Sequence, residues 1–332
     1  MYLVHLFLAQ MLPAPDLAKL PAADPVKVSG FPKAEADLSI GACFGAFLRR
    51  VVPSHTAYGV ARGVCDDVIA VLREVMPHPD GATDYVITGA VGKRTALSPI
   101  RMADLLYILP PKFIAAGNGR AGDALKTVAN LLAPKLAGVT VHGAGVIVPR
   151  GSLWVKVLPS APHRGAFLIP GAATLTRASG WSISNPIAEA ATLRLSDSLY
   201  GGRPRLMLTA LKAWREASKV PISSFALELL VQDYYASGPR AFELDKALTE
   251  FWVWSRLRTP CKLTPPGAQS AVEIDTAWHG KAKAAYWRVT LAEHHLKTGK
   301  LIDAAVEWRQ LLGLAFPVPG ETPLKALPLF KK

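Results

Sequence analysis

At 332 residues the chain is long enough for two lobes or one large domain with a substantial core. Half of its residues are hydrophobic and 19% are charged, which excludes an intrinsically disordered chain. A formal charge of +13 favours polyanionic partners such as nucleotides, nucleic acid or an acidic protein, and says nothing about fold.

The apolar start, residues 2–12, is too short to span a bilayer and lacks the basic n-region of a signal peptide. No transmembrane segment is expected, and docking to a membrane or a partner stays open for this stretch. Residues 13–37 are rich in Pro and Ala without a period and read as a linker or a loosely packed arm. From 41 to 75, Phe44, Phe47, Leu48 and Val51, then Val60, Val64, Ile69 and Leu72, predict two helices broken around Pro53-Ser54. Short β-prone runs follow at 85–88 and 104–109. An amphipathic helix is expected within 117–136, and a hairpin from 139–148 and 153–158 around Pro149-Arg150-Gly151.

After about residue 179 the pattern turns helical. Helices are predicted over 189–199, 203–217, 224–236, 242–256, 282–298 and 301–312. Ser223 is placed to cap the third of these, and Glu228 lies close to a capping-box position, off by a residue or two. Cys43, Cys65 and Cys261 fit no metal spacing and are expected as small apolar residues in a reducing, cytoplasmic setting.

Chemistry concentrates between Tyr85 and Leu109. A triphosphate approaching a strand end needs backbone N–H groups clear of side chains, with hydroxyl and cationic donors nearby. Gly89, Ala90 and Gly92 are small; Lys93, Arg94 and Thr95 add charge and a hydroxyl. Alone, a Gly-x-x-Gly-Lys turn is better explained by an ordinary loop. A dozen residues later comes Met102-Ala103-Asp104, followed by the hydrophobic run Leu105 to Leu109.

A turn, a spacer and a carboxylate-bearing strand in this order resemble the DNA polymerase β-like superfamily. More narrowly they resemble the bacterial relatives of cyclic GMP-AMP synthase and oligoadenylate synthase, the CD-NTases. Phe44 to His55 is similar to the family's N-terminal helix and its break. Leu211-Lys212-Ala213-Trp214 with Ile222 to Leu230 resembles a Lys-x-Trp and Ser-Phe-x-Leu-Glu helical pair, and Trp308 to Pro317 a closing segment. The likeness runs over about residues 41–318.

The resemblance implies an α+β fold: a polymerase β-like nucleotidyltransferase lobe, with a mixed sheet and helices, plus a C-terminal helical lobe. The implied division is an N-terminal arm (1–40), the α/β lobe (41–178), the helical lobe (179–318) and a tail (319–332). It further implies that Gly89 and Ala90 hold donor phosphates, with Lys93 and Thr95 beside them, that Lys212 reaches those phosphates, and that Ser224 lies next to them. Three carboxylates should hold two divalent ions. Met102 stands at the first position, Asp104 remains at the second, and Lys156, in Val155-Lys156-Val157-Leu158-Pro159, stands at the third.

A lone carboxylate cannot hold two Mg²⁺, which demand near-octahedral oxygen shells. Loss of one well-placed electrostatic group commonly costs ~10²–10³ in rate. Lys156 could instead pair with Asp104 or with a nucleotide phosphate. The expectation is a degenerate member, a pseudoenzyme that binds a nucleotide or cyclic oligonucleotide or acts as a regulatory subunit. No cofactor is expected, and the setting is antiphage nucleotide signalling with a protein partner from a defence operon. The alternatives are an active nucleotidyltransferase with an altered Mg²⁺ site, helped by a replacement carboxylate such as Asp84 or Asp123, and a nucleic-acid-binding module using the basic surface. His294-His295 beside Glu293 is not spaced for a metal, Asp66-Asp67 lies far from the turn, and Phe251, Trp252 and Trp254 are expected to pack.

Overall fold

A computed structural model describes residues 39–79, 83–116, 119–171, 179–238 and 240–320. The arm at 1–40, apart from its last two residues, and the stretch beyond 320 lie outside the described residues.

Helix α1 (Ile40–Val51) opens at Ser39, whose hydroxyl accepts the Ala42 N–H at 3.2 Å. After Pro53, Ser54 accepts the Ala57 N–H at 3.1 Å and starts α2 (His55–Val75). The break therefore falls where it was expected. Proline disfavours helix at the residue before it, and the serine supplies the next N-terminus with an acceptor worth about 1 kcal/mol. The buried stripe Phe44, Phe47, Leu48 and Val51 turns away from the sheet and into the C-terminal helices. There the Phe44 ring meets Trp308 and Phe316 edge-on, at 4.7 and 5.0 Å.

The sheet comprises β1 (Tyr85–Thr88), β2 (Met102–Ile108), β3 (Thr140–His142), β4 (Gly145–Arg150) and β5 (Leu153–His163) in the order β1-β2-β5-β4-β3. The far end of β5 pairs β6 (Ala166–Pro170), which pairs β7 (Trp181–Ser184). Only β2 and β5 run parallel among these pairs, so the sheet is mixed. Short helices α3 (Gly89–Gly92) and α4 (Pro111–Ala116) and the longer α5 (Ala121–Leu132) connect the strands.

Several boundaries differ from expectation, two of them in β2 and in the hairpin. Strand β2 begins two residues early, at Met102, because Met102 and Ala103 pair with Trp154 and Val155. The expected strand 139–148 divides into β3 and β4 at Gly143, whose φ of +54° makes a tight turn.

Six helices follow: α6 (Pro186–Leu199), α7 (Arg203–Ala217), α8 (Ser224–Ala236), α9 (Leu244–Arg258), α10 (His279–Lys297) and α11 (Leu301–Leu312). The bounds of α7, α8 and α11 are those read from the sequence. Helix α6 starts earlier, because the Asn185 side chain accepts the Ala188 N–H at 3.0 Å and Pro186 fits the first turn. A small ribbon of β8 (Cys261–Leu263) and β9 (Val272–Ile274), between α9 and α10, was not anticipated.

Alternation along β2 divides the sheet's two faces. Ala103, Leu105 and Tyr107 point into a core shared with α2 and α5. On the other face Leu106 and Ile108 are covered by Phe167 and by Ile187 of α6. Closer to the start of β2, that second face carries Met102 and Asp104. The helical core is rich in indoles, with Trp214, Trp252, Trp278 and Trp308 all buried. Phe251 and Trp252 lie in it, and Trp254 packs on the Tyr234 ring at 5.3 Å. Among the described residues no helix is long and apolar enough to cross a membrane.

Candidate functional site

The turn after β1 is built by backbone constraints. Gly89 has φ of +60°, and a Cβ there would stand 2.1 Å from Oδ2 of Asp104. Only a glycine lets the backbone pass this close to the carboxylate. Gly92 is equally confined, since a Cβ would meet the Ile87 carbonyl oxygen at 2.2 Å. The turn closes through Lys93 N–H to Gly89 O (3.0 Å) and Thr95 N–H to Ala90 O (2.8 Å), with Arg94 at φ of +53°.

Lys93, expected to face a phosphate, is instead directed into the protein. Its ammonium donates to Glu189 of α6 at 2.8 Å and to Glu228 of α8 at 2.5 Å. The three side chains are 4%, 7% and 5% exposed. Burial alone would lower the Lys93 pKa, but the two carboxylates outweigh it and hold the group above its ordinary value. Glu228 is thereby removed from any capping role: Ser223 alone caps α8, accepting the Ala226 N–H at 3.0 Å.

Thr95 is fully buried and is held from the other side. Lys212, in the middle of α7, donates to the Thr95 carbonyl oxygen at 3.0 Å and to its hydroxyl at 2.7 Å. Burial lowers the Lys212 pKa to about 8, with Glu228 and Asp104 opposing and Lys93 assisting. Two lysines thus fasten the turn to three helices, Lys93 from the turn outward and Lys212 from α7 inward. Ser224, in the first turn of α8, is half-buried beside Phe225, whose ring centre lies 5.0 Å from the Lys93 ammonium.

Asp104 sits between this turn and β5. In the parallel pairing of β2 with β5, its Cα partner is Lys156, and that of Met102 is Trp154. Partners in register share a face of the sheet, so Lys156 lies on the same face as Asp104 and acts on its carboxylate through space, with no ion pair between them. Burial raises the Asp104 pKa, and Lys156, Lys93 and Lys212 all pull it back down. The Lys156 stem lies across Gly145 of β4, where a Cβ would be 2.6 Å from its Cγ and Cε. Around Asp104 the structure therefore gathers three ammoniums (Lys93, Lys156, Lys212) and three carboxylates (Asp104, Glu189, Glu228).

No family model matches the chain, and no curated protein does. Solved structures do. CdnC from E. coli MS115-1, in a complex with HORMA-deltaN, superposes with a TM-score of 0.66 at 14% identity, covering 83% of this chain and 97% of CdnC. Vibrio cholerae DncV, a cyclic AMP-GMP synthase in complex with a linear intermediate, gives 0.66 at 10% identity, covering 81% and 94%. A STING-associated CdnE c-di-GMP synthase from Capnocytophaga granulosa gives 0.55 at 13% identity, covering 93% and 98%.

The chain has a CD-NTase-like nucleotidyltransferase fold. The register puts Asp104, Met102 and Lys156, the positions at which the resemblance implies metal ligands, on one face of the sheet. These side chains do not fit a pair of divalent ions. One carboxylate faces a thioether and an ammonium, and no group of three or more His, Cys, Asp or Glu suited to a metal occurs among the described residues.

Other sequence candidates lie elsewhere. Asp84 is at the opposite end of β1 and is gripped by Arg73 at 2.5 and 2.8 Å, which holds its carboxyl below the usual range. Asp123 is in the first turn of α5, and Asp67 is exposed on α2, with Arg150 at 3.8 Å. His294 and His295 end α10. Glu189 was missed altogether. The signal for it and for Glu228 was present, since each is a lone charge inside an apolar helical run, and such a charge is rarely buried without a partner.

Proposed function

We propose that this chain is a CD-NTase-like protein that has given up metal-assisted transfer and binds a nucleotide or cyclic oligonucleotide as a receptor or regulatory subunit. The observation that carries the proposal is the in-register partnership of Asp104 with Lys156. A fixed ammonium occupies the place of a carboxylate that would hold metal, and it supplies in the protein itself part of the positive charge that the ions would bring. The nucleotide part rests on the fold and on what was bound in its neighbours: ATP in CdnC and a linear dinucleotide intermediate in DncV. An antiphage signalling setting, with a protein partner, follows the same likeness, CdnC having been solved with HORMA-deltaN.

With Lys93 committed to Glu189 and Glu228, and Lys212 to Thr95, anion binding falls to Lys156 and to the N–H groups of the Gly89 turn. Calorimetric titration with nucleoside triphosphates and cyclic dinucleotides, in Mg²⁺ and in EDTA, tests this reading. Binding that persists in EDTA and weakens in Lys156→Ala is expected. Binding that requires Mg²⁺ would refute the metal-free reading, and no binding of any nucleotide would refute the receptor reading.

A further inference from the structure

Next to the Asp104–Lys156 pair the sheet exposes apolar surface that nothing in the fold covers among the described residues. Trp154 is 51% exposed and Met102 is 39% exposed. They are Cα partners across β2 and β5, and Pro149 of β4 is the partner of Trp154 on its other side. An indole, a thioether and a proline ring thus form one row across three strands. The next row inward holds Asp104, Lys156 and Ile147. Lys156 makes no hydrogen bond or ion pair within 4 Å among the described residues, whereas Lys93 and Lys212 are both engaged. The two rows lie about 6.6 Å apart, two residues along a strand.

We infer that the Met102–Trp154–Pro149 row is a stacking platform for a nucleobase, whose phosphate is taken by Lys156 in the adjacent row. The inference rests on the nucleotide-binding reading above and specifies where the base lies. Scattered exposed apolar residues are ordinary on protein surfaces. Here two large ones stand in register, directly beside an unpaired ammonium, which is the combination that bases and phosphates need from single-strand and nucleotide sites. Met102 then has a function of its own: a carboxylate at that position would set a charge against the base, and a thioether packs on it.

The probes are the four nucleoside triphosphates and cyclic di-GMP in EDTA, with tripolyphosphate as the base-free control. Trp154→Ala is expected to weaken the tightest-binding nucleotide ~5- to 150-fold, the range for loss of one base–aromatic stack, and to leave tripolyphosphate unchanged. Trp154→Phe retains most of the affinity. Lys156→Ala weakens nucleotide and tripolyphosphate alike. Because Trp154 is half-exposed, thermal scans should show the variants folded. If the wild type binds a nucleotide and Trp154→Ala binds it equally well, the platform is refuted while the nucleotide reading stands. If the wild type binds no probe, both fall together. A wild type that self-associates in sedimentation, and a Trp154→Ala variant that does not, would overturn the inference by making this row a contact between copies.

Discussion

Replacing Lys93 with methionine removes the ammonium that Glu189 and Glu228 share and keeps most of the side-chain volume. Both carboxylates are more than nine-tenths buried, so neither has water to turn to. Breaking a buried ion pair by deleting one partner typically costs ~3–5 kcal/mol, because a charge is left uncompensated. An exposed pair is worth ~1 kcal/mol or less. For 332 residues, an unfolding entropy of about 2.1 cal/mol/K per residue turns that loss into a fall of roughly 4–7 °C in Tm. Urea denaturation of the wild type and Lys93→Met, with thermal scans beside it, reads the difference directly. Adding Glu189→Leu and Glu228→Leu to Lys93→Met should recover most of the stability, since replacing a buried ion triad by apolar residues is often close to neutral. A loss below about 1 kcal/mol for Lys93→Met would refute the reasoning, because the site would then behave as a solvated surface pair.

Lys212 gives a pH signature. Its folded pKa of about 8 lies below that of a free lysine, ~10.4, so between these values the unfolded chain binds more protons and stability rises with pH, by up to ~1.4 kcal/mol per unit. Buried Cys65, pushed up to about 12, opposes this in much of the same range, so the quantity to follow is wild type minus Lys212→Met, from urea midpoints between pH 7.5 and about 10. A flat difference would contradict the burial account of Lys212. Gly89→Ala imposes a left-handed conformation on a residue with a Cβ and drives that Cβ into Asp104, so a loss of ~1–3 kcal/mol is expected in denaturation. In the Asp104→Ala background the contacts with the carboxyl group are gone and only the Cβ at 3.1 Å remains, so most of the steric part of the loss should disappear; an unchanged loss would mean that the close approach carries no cost.

Much of this architecture could be read locally. Helices α7, α8 and α11 were legible to the residue because their sequences are rich in apolar residues and their ends carry punctuation: Gly202 and Pro204, Ser223, Gly299 and Gly313. The confrontation of Asp104 with Lys156 was legible because each lies on a β-prone strand and the resemblance supplied the register between them. The ion triad was not. Glu189 and Glu228 lie 96 and 135 residues from Lys93, and no local pattern pairs groups at that separation. Strands β6 to β9 escaped for a different reason. They have three to five residues each, and their identity comes from the neighbour they pair with and not from their own alternation.

In the function proposed above, the protein binds a nucleotide and has lost metal-assisted transfer. Incubation with labelled nucleoside triphosphates in Mg²⁺ or Mn²⁺, with Asp104→Ala alongside, tests it most directly. No cyclic or linear oligonucleotide above the Asp104→Ala background is expected. A product that requires the metal and disappears in Asp104→Ala would contradict the proposed function and establish an active nucleotidyltransferase.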